Sequence, residues 1–145
     1  MRFTVFSSVV LAALIGTAAV AFAASGTVVT WRKTSIGNAI TTSSGHTLYL
    51  FRADHGTTSA CYSKCATFWP PLLTTGKPTA AGRVKASLLG TTKRTDGKLQ
   101  VTYKGHPLYT FVEDKKPGQT AGEGSKFFGA SWYALAPSGA TIDKD

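Results

Sequence analysis

Strand signals dominate the pattern of apolar and polar positions along this chain. Thr27-Val28-Val29-Thr30-Trp31 is β-branched and aromatic, and Ala39-Ile40-Thr41-Thr42 follows it. Ser43-Ser44-Gly45 then marks a turn before a third strand, Thr47 to Phe51. In the second half, Lys98 to Tyr103 alternates polar and apolar, the period of a half-buried strand. Asp96-Gly97 before it is a short hairpin signal. Lys104-Gly105 separates it from a further strand, Pro107 to Val112. Trp132-Tyr133-Ala134-Leu135 is a closing strand, ended by Pro137-Ser138-Gly139. Helix signals are weak. Ser59 to Phe68 predicts a short helix ended by Pro70-Pro71, and Val84 to Leu89 a single turn stopped by Gly90. The fold class expected is all-β or mainly β.

The order of these elements repeats. Gly45 to Asp54 recurs as Gly105 to Asp114, an offset of 60 residues with the shared pattern Gly-His-x-Leu-Tyr-x-Phe-x-x-Asp. A second echo follows each copy. Trp69-Pro70-Pro71-Leu72 begins 15 residues after Asp54, and Trp132-Tyr133-Ala134-Leu135 begins 18 residues after Asp114. Each unit therefore runs strand, Gly turn, Leu-Tyr-x-Phe strand, Asp turn, loop, Trp-x-x-Leu. A unit used twice does not bury its apolar face alone. The expectation is a single small antiparallel domain built from two pseudo-repeats, about 27–75 and 90–136.

The first residues change this picture only by removing themselves from it. Arg2 is a positive start, Val9 to Ala21 is almost wholly apolar, and Ala21-Phe22-Ala23 is a small-residue cleavage site. Residues 1–23 thus read as a secretory signal peptide and 24–145 as the mature domain. The apolar run falls short of the roughly 20 residues a spanning helix needs. After cleavage no transmembrane segment is expected, and no Cys follows the apolar run to accept a lipid. The product is expected in the periplasm or outside the cell, soluble. The chain carries a net charge of +9, and the leader accounts for only Arg2 of it. Such a charge reads either as a solvated surface that keeps the protein soluble or as a face for an anionic cell-envelope polymer or a protein partner. Its basic residues come as scattered pairs, Arg32-Lys33, Lys93-Arg94 and Lys115-Lys116, so no specific nucleic-acid recognition is expected.

The motif residues carry the candidate chemistry. Tyr49 and Phe51 are two apart and share one strand face, as do Tyr109 and Phe111. They read as a core seam between the repeats, or as an exposed aromatic platform for a sugar or planar ligand. Asp54 and Asp114 follow their strands among turn formers. Each is expected to accept a backbone N–H two residues on; a catalytic or cation-binding pair would require both in one cleft. His46 and His106 follow glycines at equivalent positions. They read as imidazoles bonded to nearby carbonyls, or as weak candidates for a metal or haem pair. Cys-x-x-Cys-His is absent, which excludes covalent haem. Cys61 and Cys65, the only cysteines, are expected to form a disulfide in an exported protein. The rival is a thiolate pair binding Cu(I). No Gly-x-Ser-x-Gly, phosphate-cradling Gly loop or His-Glu-x-x-His is present.

The paired Tyr-x-(Phe/Trp/Tyr)-x-x-Asp motif resembles the signature of a bacterial family of secreted proteins and lipoproteins, a secreted repeat of unknown function. The resemblance covers roughly Ile36 to Leu135. Asp54, Asp114, Cys61, Cys65 and Trp69-Pro70-Pro71-Leu72 match its pattern, as does His106; His46 is less usual there. It implies no activity and no cofactor. The leading expectation is an exported, non-enzymatic envelope or extracellular protein, binding a surface polymer or partner through its basic face or aromatic pairs. The alternative is a metal- or haem-handling electron-transfer accessory using His46, His106 and the cysteines.

Overall fold

The computed structural model describes residues 12–19 and 26–143. The expected cleavage site, Ala21-Phe22-Ala23, lies outside the described residues. Strands β1 (Val28–Thr34) and β2 (Gly37–Thr42) form an antiparallel hairpin, in register from Val29 opposite Thr42 to Thr34 opposite Gly37. The chain reverses at Ser43–Gly45, where Thr42 donates to the His46 carbonyl and Gly45 takes a positive φ of 92°. It then enters the first motif strand, β3 (Tyr49–Phe51). A short helix, α1 (Lys64–Phe68), and the short strands β4 (Leu73–Thr74) and β5 (Thr79–Ala80) lead to the second half. There β6 (Leu89–Lys93) and β7 (Leu99–Tyr103) form a hairpin around Asp96-Gly97. β8 (His106–Pro107), β9 (Trp132–Leu135) and β10 (Thr141–Ile142) complete the chain. Pairing is antiparallel throughout the named strands except for β1 with β5.

The period of two sorts side chains into two cores. Leu48, Leu50 and Leu108 join Val29, Ile40, Val101, Tyr103 and Leu135 in an aliphatic core. Tyr49, Phe51, Tyr109 and Phe111 face the other way, into an aromatic core with Trp69, Trp132 and the two cysteines. Alternation along two motif strands thus populates both cores at once.

The repeats exchange their closing strands. β3 pairs with β9 of the second repeat, Tyr49 opposite Ala134 and Phe51 opposite Trp132. The second motif strand pairs with the first repeat's Trp-Pro-Pro-Leu segment, Tyr109 opposite Pro71. The registers are equivalent, since Ala134 and Pro71 each lie two residues after a Trp. Between the exchanged strands, Tyr49 and Tyr109 trade both backbone hydrogen bonds, at 2.8 and 3.0 Å. These bonds place the pseudo-twofold relation of the two repeats at this pair.

The sequence differs from its structure in three places. The expected strand Pro107 to Val112 is regular only at His106–Pro107. Its partner segment contains Pro70-Pro71, which has no N–H to give, so the ladder there is broken. Thr110 still donates to the Pro70 carbonyl and Val112 to that of Phe68. The expected helix Ser59 to Phe68 shrinks to Lys64–Phe68, because Ser63 at its start holds a positive φ of 53°. The expected turn at Val84 to Leu89 is a 3-10 turn at Ala86–Leu88, and the strand β6 after it went unread. Its residues are mostly half-buried and lack a clear alternation.

Exchange makes the two halves mutually dependent for folding. A fragment covering residues 26–83 is expected to show no cooperative thermal transition by circular dichroism. Mixed with a fragment covering 84–143, it is expected to recover one. A cooperative transition in the first fragment alone would mean that the exchanged pairing is not required.

Candidate functional site

Each motif strand ends in the same turn. The N–H of Asp54 donates to the Phe51 carbonyl and that of Asp114 to the Phe111 carbonyl, both at 3.1 Å. Each carboxylate then divides its oxygens. Oδ1 of Asp54 accepts the N–H of Ala60 at 2.8 Å, and Oδ1 of Asp114 that of Ala121 at 2.7 Å. The N–H groups lie six and seven residues on, not two, so each carboxylate closes a whole loop rather than a tight turn. Oδ2 reaches across the pseudo-twofold. Tyr49 Oη donates to Asp114 at 2.6 Å, and Tyr109 Oη donates to Asp54 at 3.0 Å. The tyrosine of each repeat therefore bonds the aspartate of the other.

The rings between these bonds form one stack. Phe51, Trp132, Trp69 and Phe111 follow one another at centroid spacings of 4.0, 3.9 and 4.1 Å. Tyr49 meets Trp69 edge-on at 5.4 Å and 83°, and Tyr109 meets Trp132 at 5.2 Å and 86°. Edge-on contact places the positive rim of one ring on the negative face of the other. Gly122 passes over this stack, where a Cβ would come within 2.7 Å of Trp69, and its N–H donates to Tyr49 Oη. The motif rings are thus buried in the core, and the alternative reading of these pairs as an exposed platform does not hold.

The two halves differ in what surrounds the crossed bonds. Ser59 Oγ lies 2.7 Å from Tyr109 Oη. Buried Arg94 donates to Ser59, to Gln100 Oε1 and to the Cys61 carbonyl. Nothing of that size attends Tyr49. Burial raises the pKa of Asp54 to about 6, against the opposing pull of the Ala60 N–H, Tyr109 and Arg94. Burial likewise raises that of Asp114, opposed by Tyr49 and the Ala121 N–H. Tyr49 is pushed far above the ordinary phenol value, by burial first and then by its bond to Asp114, so it remains a donor.

The other candidates separate. Cys61 and Cys65 form a disulfide with Cα atoms 5.2 Å apart, which leaves no thiolate for copper. His46 lines a hollow with Asp114, Ser44 and Thr110 and favours the charged form of that carboxylate. His106 sits opposite Tyr103 in β8, its pKa lowered by burial and by Arg52 and Lys104. Among the described residues no group of three or more His, Cys, Asp or Glu is placed to hold a metal. Asp54 and Asp114 bond different tyrosines and different loops, and Asp54 does not line the hollow that contains Asp114.

Sequence reasoning missed a cleft of about 430 Å³ lined by Lys64, Phe68, Trp69, Phe111, Glu113, Phe127 and Phe128. Phe68, Phe127 and Phe128 are the exposed aromatic residues among those described, and all three line it. The doublet Phe127-Phe128 in an otherwise polar loop was its one visible sign. The turn carrying the doublet is tied to the stack, since Trp132 Nε1 donates to the Phe127 carbonyl at 2.9 Å.

Residues 30–73 and 90–136, more than half of the chain, match the family described as a secreted repeat of unknown function. The chain belongs to this family. No curated protein and no solved structure matches it. The two matched segments of this secreted repeat contain both motif strands, both aspartates and both tryptophans of the stack, together with all the residues of the cleft. Among the described residues no helix is long and apolar enough to cross a membrane.

The crossing makes a sharp prediction. Double-mutant cycles are expected to give a coupling of about 1.5–3 kcal/mol for Tyr49→Phe with Asp114→Ala, as for hydrogen bonds to charged groups. Tyr49→Phe with Asp54→Ala, within one repeat, is expected to show almost none. Equal couplings would contradict the crossed arrangement.

Asp54 also sets a pH dependence. Its folded pKa lies above the unfolded one, so its stabilising contribution is fully present below about pH 4 and is lost as pH rises through about 6. Relative to Asp54→Asn, the native protein should gain on the order of 1 kcal/mol between pH 7.5 and 4, after allowance for partial solvent screening. Urea melts of both proteins at the two pH values measure this. A stability difference that stays flat would show that Asp54 titrates like a surface carboxylate.

Proposed function

We propose that this secreted repeat protein is a non-enzymatic binding protein of the cell envelope or extracellular space, and that it holds its partner in the aromatic cleft. One observation carries the reading: all the exposed aromatic rings among the described residues converge on that cleft. Exposed apolar rings gathered in one place mark an interaction site far better than rings scattered singly. The motif side chains support the reading from the other side. Tyr49, Tyr109, Asp54 and Asp114 are satisfied by one another and by loop N–H groups. General acid–base work wants carboxylates in one pocket with pKa values driven apart. Here burial moves both in the same direction. The net charge of +9 favours an anionic envelope component as partner.

Cosedimentation with isolated envelope material tests the reading. The double variant Phe68→Ser, Phe127→Ser is expected to bind at least about tenfold more weakly than the native protein. Its melting temperature should fall by only a few degrees, since Phe127 is 64 % exposed and Phe68 40 %. Unchanged binding would remove the cleft from the reading. Stoichiometric copper or iron, or a Soret band, in natively purified protein would favour an electron-transfer accessory instead.

A further inference from the structure

We propose that the cleft binds an anionic amphiphile, its apolar body among the phenylalanines and its charged head on Lys64. This rests on the reading that the cleft is the binding site, and it names the ligand class. The floor is rigid: Trp69 is wholly buried and Phe111, the last ring of the stack, is 8 % exposed. The walls are Phe68, from the end of α1, and Phe127 and Phe128, from the turn tied to Trp132. The volume of about 430 Å³ lies within the roughly 300–1,000 Å³ of small-molecule sites.

The polar lining decides what the body of the ligand is. Among the described residues, Lys64 and Glu113 are the only charged side chains lining the cleft, and its other lining side chains are aromatic. A sugar ring buried there would leave most of its hydroxyls without partners, which is costly. An apolar chain or ring loses nothing. The charges decide the head. Glu113 lies 4.0 Å from the ammonium of Lys115, whereas Lys64 makes no ion pair among the described residues. Lys126 adds a second cation in the adjoining hollow, which Phe111 and Phe127 also line. The rim thus favours an anion.

Phe128 supplies an independent sign. Its backbone is left-handed, with φ 64° and ψ 31°, a conformation unfavourable for a bulky L-residue. Glycine would adopt it without strain. Phe128 keeps 41 % of its surface exposed, so part of the burial that would offset the strain is left unused within the chain. Backbone strain held at a site where a ring faces a cleft is accounted for by a ligand that covers the ring. A concave site with a buried floor admits a single chain, whereas insertion into a bilayer calls for a protruding surface.

Isothermal titration calorimetry with dodecanoate below its micelle concentration tests the proposal. Saturable binding is expected. Lys64→Glu should weaken dodecanoate by at least about tenfold and create binding of dodecyltrimethylammonium. Phe128→Gly should change the melting temperature little, since relief of the strained φ offsets the partial burial lost with the ring, yet weaken dodecanoate by at least about tenfold. The proposal is overturned if the native protein shows no saturable binding, or if either variant binds dodecanoate as the native protein does. It is also overturned if anionic vesicles bind through the cleft while monomeric dodecanoate does not. Should dodecanoate fail while envelope material still binds in a Phe68- and Phe127-dependent way, the ligand class is wrong and the cleft remains the binding site.

Discussion

Two hydrogen bonds that cross between repeats organise this domain: Tyr49 to Asp114 and Tyr109 to Asp54. Each tyrosine lies on the aromatic face of its strand, and each aspartate lies at the far end of the other strand. The bonds form only when the two strands run antiparallel with Tyr49 opposite Tyr109, the pairing seen in the backbone. That register in turn sets Phe51 against Trp132 and Phe111 against Trp69, which closes the four-ring stack. A shift of one residue would turn every ring into the aliphatic core. The polar contacts therefore select the register, and the rings supply most of the burial. Buried carboxylates are tolerated here because each has both oxygens engaged.

The frame is symmetric, but its surroundings are not. A disulfide and the Arg94 network brace the loop after Asp54. The loop after Asp114 instead depends on Gly122, which lets it lie flat on Trp69. The tryptophans diverge in the same way. Trp132 uses its N–H to hold the Phe127 carbonyl, while the buried N–H of Trp69 has no partner among the described residues. The second tryptophan thus couples the core to the turn that forms one wall of the cleft. Of the two tryptophans, only the second ties a cleft wall to the stack, so the two repeats contribute unequally to the cleft.

Much of this could be read from residue order. The period of two in Leu48-Tyr49-Leu50-Phe51 separates the two cores, and the paired Trp-x-x-Leu segments mark the closing segment of each repeat. The disulfide follows from an exported chain with two cysteines four apart. What sequence could not supply were contacts between distant residues. Tyr49 and Asp114 are separated by 65 positions, and no local pattern says that the bonds cross rather than stay within a repeat. Nor does local chemistry reveal that Asp54 reaches Ala60, since turn-forming neighbours point to a bond two residues on. The cleft was least legible. Its walls come from a one-turn helix and a strained turn, neither with a periodic signal.

The division between frame and loops explains why the motif is silent about activity. Every polar atom of its tyrosines and aspartates is used to hold the repeats together. Each loop is gripped by the frame where its aspartate holds the N–H of Ala60 or Ala121, and it rejoins the frame at a tryptophan. Between those points its length and composition are unconstrained by the crossed bonds, and the two loops here already differ in both. Lys64 and Phe68 lie in one of them and Phe127 and Phe128 in the other. The cleft is built by segments the motif does not specify, as is usual for sites held on a rigid scaffold. A repeat signature of this kind therefore reports how the chain folds, and it leaves the loops between its fixed points free to differ.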